Sequence, residues 1–246
     1  MYLFLPVHIR ILSSCTSKKT VQSANALTIT DAQQGPSHLK NRESELSSLR
    51  RPAVEMYAGQ QHKHLMRGIH QARRQSDMLT IDLGIISAFY GLVNETTSIA
   101  PYDSTFSDMT SKELRFWADQ LQIPEDTRAF ISSDVDLNLI LLGEPYVRAA
   151  KFTSDISFGG PTLFFCAQSV ADRLPTWNHV KKVVLSRQEA KRFSQGLVWL
   201  KGWMASQLLS QLVQNTTTIN RIMTPTVDIC DLVDQSNQQL GLYDQS

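Results

Sequence analysis

The residues best equipped for chemistry fall into two short clusters. Ser87, Tyr90 and Gly91 stand in the run Ile85-Ile86-Ser87-Ala88-Phe89-Tyr90-Gly91-Leu92-Val93, and Tyr102 and Asp103 close Ile99-Ala100-Pro101-Tyr102-Asp103. An apolar strand that breaks into a loop of hydroxyls, phenols and one carboxylate is where α/β proteins seat ligands. Asp103 could orient an exocyclic amine or serve as acid or base; an Asx turn after Pro101 is the plainer role. The second cluster is Ser13-Ser14-Cys15-Thr16-Ser17-Lys18-Lys19. Ser14, Ser17 and the lysines can hold an anion, although the glycines of a P-loop are missing. Cys15 beside two cations is a candidate thiolate nucleophile, with simple packing as its alternative, and Lys18 is a candidate amine.

These residues need strands and helices to bring them together, and the hydropathy pattern supplies both. Strands are expected over residues 7–12, 79–87, 137–142, 162–166 and 180–185, and residues 137–142 are apolar enough for a central strand covered on both faces. Gly143 ends that strand, and Tyr146 follows it. Helices are expected over residues 60–74, from the capping box Thr110-Ser111-Lys112-Glu113, and from a second box at Ser186 and Glu189. The last is read as one long helix burying Phe193, Leu197, Leu200, Met204, Leu208 and Leu212. Strands alternating with helices predict a single α/β domain with a mostly parallel sheet flanked by helices over residues 1–214. Residues 20–52 are rich in Ser, Gln, Asn and charge, and read as a long mobile insertion that adds little core. Residues 215–246 read as a polar, acidic extension, docked or frayed.

A crevice at the carboxyl ends of those strands would gather Ser14, Ser17, Tyr57, Ser87, Tyr90, Gly91, Tyr102, Gly143 and Tyr146 as substrate-binding residues around catalytic Lys18, Cys15 and Asp103. Tyrosines can stack on a base while hydrogen bonding to it; some of the four could instead be core. On the helix at residues 60–74, Lys63, Arg67, His70 and Arg74 form a ridge opposite Leu65, Ile69 and Ala72, readable as a solvated face or as phosphate contacts. Lys181, Lys182, Arg187, Lys191 and Arg192 form a second basic group.

The 246 residues carry a formal charge of +1, so no global field pulls the chain toward nucleic acid or membrane. Three scattered cysteines argue against a disulfide framework or zinc site and point to a reducing, cytoplasmic setting. His62 and His64 with Glu55 lack metal-ligand spacing, so neither metal nor cofactor is expected. The apolar opening at residues 1–7 lacks a basic leader and is cut by Pro6, and no run is long enough to cross a membrane. The sequons at Asn94 and Asn215 are then chance matches.

Ser14-Cys15 with a lysine shortly after, Glu55-Met56-Tyr57, Ser87-Ala88-Phe89-Tyr90-Gly91-Leu92, Pro101-Tyr102-Asp103 and Leu141-Leu142-Gly143 with Tyr146 together form a pattern. It resembles an uncharacterised bacterial domain family related to the YaaA-type peroxide-stress proteins and, more distantly, the archaeosine synthase core, over roughly residues 9–209. The resemblance implies a cytoplasmic stress-response protein that binds nucleic acid, DNA before RNA, and acts on a nucleobase by glycosidic cleavage or base modification. The alternative is a non-catalytic module that binds a free nucleotide or modified base.

Overall fold

Runs of Ile, Leu, Val and Phe become strands where a sheet is covered on both faces, because β-branched and aromatic side chains pack well on a pleated surface. The structure, a computed structural model, describes residues 6–234. Its strands are β1 (Val7–Ser14), β2 (Arg51–Pro52), β3 (Leu79–Ser87), β4 (Gly91–Asn94), β5 (Ser98–Ile99), β6 (Leu137–Ile140), β7 (Thr162–Cys166) and β8 (Val180–Val184). Six of them form one sheet in the order β4-β3-β1-β6-β7-β8. All neighbours are parallel except β4, which folds back antiparallel on β3 through the register Ser87↔Gly91. Ile9, Ile11, Ile85, Leu139, Leu163 and Phe165 are fully buried within it. The expected fold class holds, and all five expected strands are present.

The helices are α1 (Ile29–Gln33), α2 (Pro36–Glu45), α3 (Ala53–Met56), α4 (Gln60–Gln75), α5 (Ser111–Gln120), α6 (Ile123–Ser132), α7 (Glu144–Ala150), α8 (Gln168–Ala171), α9 (Arg187–Arg192), α10 (Leu200–Gln214) and α11 (Thr218–Ile222). Helices α4 and α10 pack on one another, as do α5, α6 and α7. Both expected capping boxes form, with Thr110 and Glu113 opening α5 and Ser186 and Glu189 opening α9.

Two segments depart from the sequence reading. The long helix expected from Ser186 is two, because Ser194 turns into the left-handed region at φ 51° and the chain runs irregularly to Trp199. Leu197, expected on the buried face, is exposed in that break. The polar insertion is not a loose loop: it forms α1 and α2 and delivers Leu27 and Leu46 to the core. Its many polar side chains face solvent, while a few apolar residues anchor it. Of the two expectations for the acidic extension, docking holds over its described part, with Ile222 and Val233 fully buried and Arg192 paired to Asp231 and Asp234 at 2.9 Å each. Residues 1–5 of the apolar opening and residues 235–246 of the extension lie outside the described residues.

Candidate functional site

In the parallel part of the sheet, β1 is flanked by β3 on one side and β6 on the other, so successive crossovers leave β1 in opposite directions. That reversal opens a crevice outside the carboxyl ends of β1 and β6. A hollow of about 450 Å³ lies there. Ser14, Cys15 and Ser17 enter it from the end of β1, Gly143 and Tyr146 from the turn after β6, and Leu185 from the end of β8. Gln61 and Lys201 enter from the first turns of α4 and α10.

The hollow's wall is built by local hydrogen bonds. The Cys15 N–H donates to Ile86 and the Leu141 N–H to Leu12, which carries both strand ends one residue past the sheet at 2.9 and 2.8 Å. Thr16 Oγ1 accepts from the Gly59 N–H at 3.1 Å and donates to the Lys18 carbonyl at 2.7 Å, tying the β1 loop to the start of α4. Gln61 Nε2 donates to the Leu141 carbonyl at 3.0 Å, and Lys201 Nζ donates to that of Leu142. Cys15 Sγ lies 3.0 Å from the Tyr146 hydroxyl. Burial pushes the Tyr146 phenol well above the ordinary tyrosine range, so it meets the thiol as a neutral hydrogen-bonding group.

Behind the hollow the phenols form a buried cluster. Ser87 Oγ accepts the N–H groups of Phe89 and Tyr90 at 3.1 and 3.0 Å and donates to the Tyr102 hydroxyl at 2.9 Å. Tyr102 and Tyr57 hydroxyls lie 3.1 Å apart. Burial raises both phenols, so this relay stays uncharged. Lys19 completes the cluster: it is buried, and its amine sits 4.1 Å above the Tyr102 ring. Burial lowers its pKa, opposed by the nearby Cys15 and Asp103. Lys18 points to solvent instead. Successive side chains of an extended segment alternate sides, and the bridge Lys19↔Tyr57 turns the second lysine inward.

Other expected site residues do not join the hollow. The Tyr90 hydroxyl donates to Glu43 at 3.0 Å and accepts from the Ala100 N–H at 3.2 Å, so it clamps the insertion onto the core. Asp103 is exposed and opens on a separate hollow of about 360 Å³ beside Asp108 and Glu113. Gly91, at φ 73°, makes the β3–β4 turn, and its Cα faces the Leu121 carbonyl closely enough to exclude a side chain. Lys63, Arg67, His70 and Arg74 are all exposed along α4, and the first two and Arg74 make no ion pair among the described residues. Arg187 and Lys191 are also exposed and unpaired among those residues. Lys181 and Lys182 are engaged internally, Lys181 Nζ on the carbonyls of Ile222, Thr224 and Val227, and Lys182 Nζ on those of Ala171 and Leu174.

Lys201 was invisible to motif reasoning, yet one signal marks it. It is the only charged residue between Arg192 and Arg221, set in an otherwise uncharged stretch. A lone charge in such a run has to reach solvent, a partner or a site. Its placement depends on close helix packing: a side chain at Gly202 would strike the Gln61 carbonyl, and one at Gly68 would strike Ser206. Helices α4 and α10 therefore run side by side with both N-terminal turns at the hollow.

Fold and geometry together define a doubly wound α/β protein with a hollow at its topological switch point. Within that class, residues 43–155 are similar to a family of unknown function (DUF6884), a match that spans somewhat under half of the chain. It covers α4, the phenol cluster and Tyr146 but neither the β1 loop nor α10. The comparison with curated proteins finds no match. No helix among the described residues is long and apolar enough to cross a membrane. No three His, Cys, Asp or Glu side chains among them gather as metal ligands do.

Proposed function

We propose that this protein binds nucleic acid along the outer face of α4 and receives a base in the switch-point hollow. The observation that carries this reading is the continuity of the two features on one rigid element. The N-terminal turn of α4 lines the hollow, and Lys63, Arg67, His70 and Arg74 continue from it on a single exposed face. Their spacing covers about 16 Å of helix. Exposed cations without acidic partners remain available to phosphates. An extruded base would meet neutral hydrogen-bonding groups at Tyr146 and Gln61 and the thiol of Cys15. A reaction at that base would start from Cys15, and Cys15→Ser is the variant that separates binding from turnover.

The test is the salt dependence of affinity for a short duplex and for a single strand. Wild-type protein is expected to lose affinity steeply with salt, with a logarithmic slope of about −0.9 per duplex phosphate contact and about −0.7 per single-strand contact. The combined variant K63E/R67E/R74E is expected to flatten that slope by about three contacts. A flat dependence in the wild type removes the reading. A second reading, a pocket for a free nucleotide with the ridge merely solvated, is favoured by size, since about 450 Å³ suits one small ligand. Under it the triple variant would keep full affinity for a mononucleotide and the wild type would ignore strands.

A further inference from the structure

We propose that Lys201 is the anion anchor of the switch-point hollow and takes a phosphate of the ligand. The inference deepens the base-binding reading and rests on it for the identity of the ligand, not for the presence of the anchor. Lys201 lines the hollow and holds the Leu142 carbonyl through one of its three N–H donors, leaving donors for a guest. Among the described residues no carboxylate pairs with it. The one acid lining the same hollow, Glu144, is paired to Arg173 at 2.5 Å. The thiol of Cys166, itself pushed up by burial, favours its charged form. A half-buried ammonium without a counter-ion carries a desolvation cost that a bound anion removes. Burial lowers the Lys201 pKa to about 8, which leaves the amine largely protonated at neutral pH.

The surroundings select the kind of anion. The first N–H groups of α4 and α10 have no side-chain cap, and Gln60, Gln61 and Lys201 of those first turns line the hollow, an arrangement that suits a multivalent oxyanion. The same hollow is lined by Cys15 and Tyr146, which suit an uncharged polar ring. A phosphate attached to a nucleoside matches both sets of groups. That phosphate belongs either to a free nucleotide or to a strand.

The experiment measures acylation of Lys201 by acetic anhydride, read by mass spectrometry, together with calorimetric titration. Inorganic phosphate is expected to slow labelling of Lys201 several-fold in the wild-type protein while leaving exposed Lys112 unchanged; equal labelling with and without phosphate overturns the anchor. In calorimetry, AMP should bind about tenfold or more tightly than adenosine, and Lys201→Met should erase the difference without weakening adenosine. Retention of the AMP preference by Lys201→Met also overturns it. Protection by AMP assigns the anchor to a free nucleotide, whereas protection only by an oligonucleotide without terminal phosphate assigns it to a strand. If phosphate protects but no base-containing ligand binds, the anchor stands and the base-binding reading falls.

Discussion

Substituting Gly68 by Ala tests the packing that brings the two helix ends to the hollow. The added methyl would lie 2.5 Å from Ser206 Cα, 2.6 Å from its Oγ and 2.7 Å from its Cβ. Carbon atoms settle at about 3.5–4.0 Å, so α4 and α10 must part by about 1 Å at this level. Two effects oppose each other. Alanine is favoured over glycine in a helix interior by about 1 kcal/mol, and overpacking a filled contact costs about 1–3 kcal/mol. Here the obstructing atoms include backbone, which cannot rotate away, so the steric cost sits at the upper end of that range. Parting also loosens a seam in which Leu65, Ile69, Leu208 and Leu212 are fully buried. We expect a net loss of about 1–2 kcal/mol, seen as a fall in Tm of about 2–8 °C for a chain of this size. Thermal melts followed by circular dichroism measure it, with urea midpoints as a check. Adding Ser206→Gly removes the Oγ and Cβ obstacles but not the Cα, so the double variant should recover part of the loss. A Gly68→Ala protein that melts higher than wild type would refute the close approach, and with it the fixed placement of Lys201.

Three further outcomes follow from the same structure. His62 is buried, its Nε2 lies 2.7 Å from the Val54 carbonyl, and burial lowers its pKa below the ordinary histidine value. The unfolded chain then takes up a proton that the native state refuses. Stability should be full above about pH 6.5 and decline below it by up to about 1.4 kcal/mol per pH unit from this group. Urea midpoints for His62→Gln should show a shallower acid slope; an unchanged slope contradicts the assignment. Leu27→Ala should cost about 2–5 kcal/mol, because Leu27 is fully buried and its backbone brackets the phenol cluster through Pro101 and Asp103. A loss within experimental noise would return the insertion to the status of a loose lid. Tyr102→Phe should cost about 1–3 kcal/mol, since the Ser87 and Tyr57 hydroxyls would lose their shared buried partner. Equilibrium unfolding that leaves the midpoint unmoved would show that the relay contributes nothing.

The strands were legible because burial on both faces writes itself as unbroken apolar runs, as in Leu137–Ile140 and Thr162–Cys166. Their order was legible only as far as alternation with helices implies parallel pairing. The insertion was misread because composition averages over a segment. Two leucines in a polar background suffice to dock α1 and α2, while the mean describes the solvent-facing majority. The break at Ser194 was misread for the opposite reason. The apolar spacing through Leu197 is continuous, and nothing in hydropathy reports a left-handed residue that a serine adopts under tertiary constraint. Within the site, Cys15, Ser14, Gly143 and Tyr146 were found because strand ends are predictable places. Asp103 and Tyr90 lie near those ends in sequence yet face away, since loop direction is set by contacts with the insertion rather than by local pattern.

The confusion of Lys18 with Lys19 and the silence over Lys201 have one physical root. Charge at a site is a matter of which side chain turns inward, and inward direction is decided by pairing and packing between segments far apart in the chain. Lys19 is turned by the bridge to Tyr57, and Lys201 by a helix seam whose two sides are Gly68 with Gln61 and Ser206 with Gly202. Lys19 ends up buried beside Cys15 and Lys201 half-buried in the hollow that Cys15 lines, while the exposed cations of α4 stay on the outer surface of a helix that starts at that hollow. Because α4 is rigid, its ridge and the hollow stand at a fixed separation. Under the proposed reading, a strand that reaches both gains from effective concentration, whereas a mononucleotide gains only from the hollow. A preference for strand over mononucleotide, measured as the ratio of their affinities, is therefore the test of that reading in which the ridge, the hollow and the seam between α4 and α10 meet.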